Sequence, residues 1–301
     1  MSEHHSASPA ARPAGGSPAA TDDALARAAV RALVAQAELT PKPGLADARD
    51  LQARSTGTDL LALRWSAKAL APAFAAMAAA ARRPGTPARA LREELGAIGR
   101  GAEWTMSRAC GGPAAGPHRG ALWVTGLLVA AAALEPGAPP RELPATAKRI
   151  AAHPDRRAPR RPSPGSHVSA TYGAAGARGE ARAGFPHVRR ALDALSRARG
   201  AGATEPQARL DALVTVMSTL QDTGPLYRAG PPGLRRVQDG AHAVLEAGGA
   251  ATAEGTAALA ALDAELRELG VAPRGSAAVL AGALFLDGLP APLAHPSNTP
   301  V

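Results

Sequence analysis

From Thr21 onward, apolar side chains return at steps of three and four residues, the spacing that places them on one face of an α-helix. Leu25, Ala29 and Leu33 form the first such face. Thr21, Asp22 and Asp23 precede it, supplying a cap and negative charge where a helix is positive, and the pattern stops near Thr40-Pro41. The same spacing predicts helices over 59–81, 88–109 and 118–134, separated by Pro84-Gly85 and by Gly111-Gly112-Pro113, with a short helix over 141–152. In the second half, Val188, Ala191, Leu192 and Leu195 mark a helix. Thr204-Glu205-Pro206-Gln207 reads as a capping box opening another, whose face is Leu210, Leu213, Val214 and Met217. Residues 232–247, 255–269 and 276–289 follow, the middle one ending at Gly270. No stretch alternates β-branched and polar residues, so no strand is expected. The pattern predicts an all-α fold: a single bundle of about ten helices over 21–290, with a disordered tail at 1–20 and a second tail at 291–301. No internal repeat is evident.

Between these elements lie two stretches read as loops. Residues 153–166 combine four arginines with four prolines, which predicts an extended cationic linker. Residues 166–186 carry glycines too often for a stable helix and read as a flexible ligand-contacting loop.

Composition narrows the class. Of 301 residues, 46% are hydrophobic and 20% charged, with one cysteine, so a disulfide scaffold is excluded and a cytoplasmic protein is expected. The longest uncharged apolar run, Ala121 to Leu134, is shorter than the roughly 18 residues a spanning helix needs, so no membrane role is expected. The first 20 residues lack the apolar core of a secretory signal. The paired His4 and His5 there, and Cys110, carry no evident chemistry. Lys plus Arg number 34 against 25 Asp plus Glu, a net +9, and only Lys42, Lys68 and Lys148 are lysines. The excess is guanidinium, whose planar fork suits phosphate oxygens.

Four segments place charged or hydroxyl groups beside glycines at a loop or a helix start, where ligands are commonly held. In Thr-Pro-Lys-Pro-Gly-Leu-Ala-Asp, residues 40–47, the prolines fix the backbone about Lys42, a candidate phosphate ligand. Gly44 permits close approach to a ligand, and Asp47 is a candidate for metal or hydroxyl. His118-Arg119-Gly120 opens an apolar helix, where the dipole favours an anion. In 172–186, Arg178 and Glu180 stand among glycines, Glu180 as a base or metal ligand. The stretch 219–228 contains Asp222, which reads as a carboxylate at the unfavourable end of a helix, and Arg228.

Taken in this order, TPKPGLAD at 40–47, HRGALW at 118–123, YGAAGARGEARAGFP at 172–186, TLQDTGPLYR at 219–228 and RGSAAVLAGALFL at 274–286 resemble the triphosphoribosyl-dephospho-coenzyme A synthase family. The resemblance implies an all-α enzyme that takes ATP and dephospho-CoA as substrates and releases adenine. It further implies a product that is the precursor of the acyl-carrier-protein prosthetic group of malonate decarboxylase or citrate lyase, the former branch being favoured by HRGALW. It places Lys42, Gly44, Arg119, Arg178, Arg228 and Ser276 on the nucleotide substrates. Asp47 and Asp222 would serve Mg²⁺, and Glu180, His118 and Asp222 would act in catalysis. The chain departs from the family pattern at Gly116-Pro117, Gln221, Tyr227 and Ala278, and carries Gln52-Ala53-Arg54 where the pattern has Gly-Ala-His. A catalytically impaired nucleotide-binding relative is the alternative. A basic nucleic-acid-binding protein is a weaker one, since no recognition helix or aromatic stacking surface is present, and no nucleic-acid partner is expected.

Overall fold

The computed structural model describes residues 18–50, 60–109, 118–158 and 163–290, all helix, turn or irregular, with no strand among the described residues. Two helices that are apolar on every side form the centre: α5 (Arg119–Leu134) and α13 (Arg274–Asp287), packed on each other. A helix with no polar face must be covered all round. Around α5 and α13 stand α1 (Pro18–Glu38), α3 (Ala71–Arg82) and α9 (Pro186–Gly200). Phe74, Phe185, Phe285, Leu33, Leu122 and Leu128 fill the core, fully buried. Outside this layer lie α2 (Leu60–Ala69), α4 (Ala88–Ala109), α6 (Leu143–Ala151) and α10 (Glu205–Met217). The capping box is present at the start of α10, where Gln207 Oε1 accepts from the Thr204 N–H at 2.9 Å. No described helix is long and apolar enough to cross a membrane.

The structure corrects the expected element list in four places. The helix expected over 59–81 is two, α2 and α3, meeting at Leu70 just before Pro72, because proline cannot donate into the preceding turn. The stretch 166–186 is not a flexible loop but α7 (Pro164–Tyr172) and α8 (Gly176–Arg182). Its glycines punctuate rather than dissolve the helices: Gly173 closes α7 in the left-handed conformation, and Ser163 caps its start. The cationic linker is accordingly shorter than expected, and its residues 159–162 lie outside the described part. The segment 219–230 is a turn only as far as Asp222. From Thr223 the chain is helical to Glu246 (α11), interrupted at Gly230 before Pro231-Pro232. Finally α1 begins at Pro18, inside the expected tail. The remaining tail residues, His4, His5, Cys110, Gly116-Pro117, Gln52-Ala53-Arg54 and 291–301 lie outside the described residues. α12 (Ala253–Glu268) completes the bundle against α11.

Candidate active site

Six of the thirteen buried polar residues among the described ones are candidates singled out by sequence. Lys42, Asp47, His118, Glu180, Asp222 and Ser276 are all buried; the first five are tied to backbone groups, and Ser276 Oγ to Asp222.

Lys42 does not present its charge to solvent. At 1% exposure, its Nζ donates to the carbonyls of Gln36 at 3.1 Å and Ala37 at 2.8 Å, both in the last turn of α1, where unpaired carbonyls concentrate. Burial lowers its pKa to about 8, against the opposing pull of Asp47 and Asp50. The phosphate role expected of it is therefore not the one its geometry gives; it locks the 40–47 turn onto α1. Asp47 works with it. Its Oδ2 accepts from the Lys42 N–H at 2.9 Å, and Arg49 grips both oxygens. Burial pushes the Asp47 carboxyl upward, but the Arg49 side chain and the N–H groups of Lys42 and Arg49 outweigh it and hold the group below its ordinary value. Gly44, expected to let a ligand approach, instead lets its own chain approach. It has φ +66°, and a Cβ there would lie 2.4 Å from the Val271 carbonyl oxygen. Its N–H donates to Asp263 Oδ1.

Asp222 is not at the end of α10, which closes at Met217. It is the N-cap of α11, where a negative charge is favoured. Oδ1 accepts from Gly224 N–H at 2.9 Å and Gly275 N–H at 3.1 Å; Oδ2 accepts from Ser276 N–H at 2.7 Å and Ser276 Oγ at 2.9 Å. One carboxylate thus caps α11 and α13 together. Burial raises its pKa, partly offset by these four bonds. Ser276 is a partner in this clamp, fully buried, rather than a free substrate contact.

His118 Nε2 lies 3.0 Å from the Leu63 carbonyl. A carbonyl only accepts, so Nε2 carries the proton and Nδ1 the lone pair. Burial pushes its pKa down to about 4, so the ring is neutral near pH 7. Glu180 accepts from the His187 N–H at 2.8 Å through Oε1 and pairs with His187 Nδ1 at 2.7 Å through Oε2. His187 was missed by sequence reading; it directly follows the GFP of the third motif, and only the turn at Gly184-Phe185 brings it back on Glu180. Arg49, Asp50, Asp263 and Arg267 were missed as a set. Arg267 donates to Asp263 Oδ1, to Asp50 Oδ1 and to the Leu45 carbonyl, while Arg49 Nη1 pairs with Asp263 at 2.7 Å.

The metal assignment does not fit this donor set. All four oxygens of Asp47 and Asp222 already accept from nitrogen or hydroxyl donors. Among the described residues, no three His, Cys, Asp or Glu side chains gather so as to hold an ion.

What the fold does bring together are the motif segments themselves. Gly120, on the first turn of α5, sits where a Cβ would lie 3.1 Å from Ala278 Cβ on the first turns of α13. Asp222 joins α13 to α11. A Cβ at Gly176 would lie 3.3 Å from Thr223 at the start of α11. The 40–47 turn rests on Val271, just before α13, and Lys42 is near enough to His118 to disfavour its protonation. Arg119, Arg178 and Arg228 remain exposed around these segments, with Arg119 3.3 Å from Glu103.

Comparison with known proteins identifies the family. Residues 22–297 match the model of the family described as ATP:dephospho-CoA triphosphoribosyl transferase. A protein of Stutzerimonas stutzeri (strain A1501) is 49% identical over 88% of this chain and 91% of its own length. One from Azotobacter vinelandii is 49% identical over 89% and 92%, and one from Pseudomonas aeruginosa (strain UCBPP-PA14) 48% over 89% and 92%. Each of the three is named as a probable 2-(5''-triphosphoribosyl)-3'-dephosphocoenzyme-A synthase. No solved structure matches the chain. With these matches along nearly the whole chain, it belongs to the ATP:dephospho-CoA triphosphoribosyl transferase family, a family of transferases whose substrates are ATP and dephospho-CoA.

Proposed function

We propose that the chain transfers the triphosphoribosyl group of ATP to a ribose hydroxyl of 3'-dephospho-CoA, releasing adenine. The product would be the precursor of the acyl-carrier-protein prosthetic group of malonate decarboxylase, with citrate lyase as the other candidate. The observation that carries the reading is the meeting of five sequence-distant motif segments around α5, α11 and α13, with Arg119, Arg178 and Arg228 exposed about them. In the reaction, the bond between the ribose anomeric carbon and adenine breaks, and its electron pair leaves with adenine, which takes up a proton. The hydroxyl oxygen of dephospho-CoA bonds to that carbon and gives up its proton. Charge develops on an oxocarbenium-like centre, as in glycoside cleavage, and fixed groups stabilise it best.

On this reading Arg119, Arg178 and Arg228 meet phosphates. Glu180 acts through His187: by holding Nδ1–H it leaves the Nε2 lone pair free to accept the hydroxyl proton, the division of roles seen in carboxylate–histidine pairs. His118, Lys42, Asp222 and Ser276 position the segments. Any Mg²⁺ would come bound to the phosphates of ATP and would neutralise their charge, rather than be held by Asp47 or Asp222.

The test is incubation of the full chain with ATP, Mg²⁺ and dephospho-CoA, following adenine by chromatography and product by mass. Adenine formed only when both substrates are present, and abolished in His187→Ala, is the expected result. Tight ATP binding with no adenine overturns the reading and leaves a nucleotide-binding relative that has lost turnover.

A further inference from the structure

Beside the motif framework, α4, α8 and the turn after α6 bring arginines together: Arg92 and Arg100 of α4 face the carboxylate of Asp155, and Arg178 and Arg182 of α8 lie close to Arg92. Asp155, its side chain 4% exposed, pairs with Arg100 Nη1 at 2.6 Å through Oδ2 and accepts from the Arg157 N–H through Oδ1. Arg92 Nη1 is 3.9 Å from the same Oδ2, too far for a hydrogen bond. That nitrogen is buried and has no hydrogen-bond partner among the described residues. Burial, and after Asp155's opposing pull the neighbouring charges of Arg178, Arg100 and Arg182, all bear on Arg92 and lower its hold on its proton. The nearby Glu93 offers no relief, being paired with Arg89 and Arg157. The guanidinium of Arg92 lies over the Trp123 ring, 5.8 Å from its centroid. Trp123 Nε1 in turn donates to Glu103, the partner of Arg119. The cluster therefore continues into the first turn of α5.

An orphaned, buried guanidinium donor among like charges is unfavourable, and an anion with several oxygens relieves both the missing bond and the repulsion at once. We propose that Arg92, Arg100, Arg178 and Arg182 form a polyphosphate cradle that takes the triphosphate of the nucleotide. Arg92 is its innermost contact and Trp123 its floor. The identity of the anion as a nucleotide triphosphate rests on the transferase reading; the anion site itself rests on the cluster. One carboxylate against four guanidinium groups leaves three positive charges, a match for a linear polyphosphate rather than for a single carboxylate.

The probe is inorganic tripolyphosphate, titrated calorimetrically into the full chain. Binding at one site that ATP displaces is expected, weakened tenfold or more in Arg92→Gln and in Arg182→Gln and unchanged in Arg236→Gln, whose charge pairs with Glu265 on α12. Arg182 is exposed, so its variant remains informative where loss of Arg92 disturbs folding, which circular dichroism would reveal. Equal affinity in wild type and Arg182→Gln overturns the proposal, as does no binding to wild type. The two readings fail separately. Adenine release with an unchanged KM for ATP in Arg182→Gln would sink the cradle and leave the transferase standing. Loss of tripolyphosphate binding in the variants, with wild type releasing no adenine, would keep the cradle and sink the transferase.

Discussion

Two charged corners of this bundle are built from the same materials and reach opposite conditions. In the corner under the 40–47 turn, Lys42, Arg49 and Arg267 meet Asp47, Asp50 and Asp263, three cations to three carboxylates. Its inner donors also close on backbone, Lys42 on the end of α1 and Arg267 on Leu45, while the Gly44 N–H donates to the Asp263 carboxylate. In the corner between α4 and α8, Arg92 and Arg100 share Asp155 while Arg178 and Arg182 add like charge beside Arg92, and one buried nitrogen has no partner among the described residues. The difference teaches that charge in this fold serves two ends. A balanced set fixes a turn on which the other motif segments rest, whereas an unbalanced set keeps electrostatic attraction in reserve for something that arrives.

The largest effect that would sharpen this contrast is a dependence on pH. Lys42 has its pKa lowered by burial to about 8, from 10.5 when unfolded. Between those values the unfolded chain holds the proton and the folded chain does not, so stability rises with pH across that window. The gain is about 3 kcal/mol. Denaturant midpoints of wild type and Lys42→Met, compared from pH 7.5 to 10.5, are expected to diverge in favour of wild type as pH rises. Parallel curves would mean that Lys42 is solvated and the corner is not closed.

Next comes Asp263→Ala. It removes partners from Arg49, Arg267 and the Gly44 N–H together. Both guanidinium groups retain some contact with water, which softens the loss, so a cost of about 2–3 kcal/mol is expected from chemical denaturation. Added tripolyphosphate should recover none of it. A recovery would show that this corner, too, takes an anion and would break the contrast.

How far these corners were legible in the sequence follows from the range of the contacts. Helix spans were readable because apolar spacing is local: α4 and α5 lie within a residue of the expected 88–109 and 118–134. The buried polar residues of the motif segments were readable too, since Lys42, Asp47, His118, Glu180 and Asp222 each break an apolar or glycine-rich pattern. Their roles were not. Asp222 seemed misplaced because its bonds to Gly275 and Ser276 span more than fifty positions. Gly44 read as a ligand contact because nothing near it in sequence discloses that Val271 approaches it. Asp263 and Arg267 sit in an ordinary amphipathic helix, and only the fold turns them toward Asp47. Arg92 gave no signal at all, since its distinction is the absence of a partner.

In the unbalanced corner, Asp155→Asn is expected to cost about 1–2 kcal/mol, because it removes the single carboxylate that Arg100 and Arg92 share. Here, unlike at Asp263, tripolyphosphate should restore thermal stability by mass action. Tripolyphosphate should also bind the variant more tightly than wild type, since a competitor for the arginines has gone. A melting temperature indifferent to the anion would place both corners in one class.

The smallest effect on stability belongs to Arg119, whose side chain is half exposed and whose pair with Glu103 is long, at 3.3 Å. Such pairs contribute little, so Arg119→Gln should leave the denaturation midpoint within about 0.5 kcal/mol of wild type. Its consequence should appear in kinetics. Glu103 also accepts from Trp123 Nε1, and Trp123 lies under Arg92, so Arg119 stands at the outer edge of the same cationic surface. A raised KM for ATP with kcat nearly unchanged is the expected split, the mark of binding shared by ground and transition states. A fall in kcat alone would instead move Arg119 from the polyphosphate to the reacting centre.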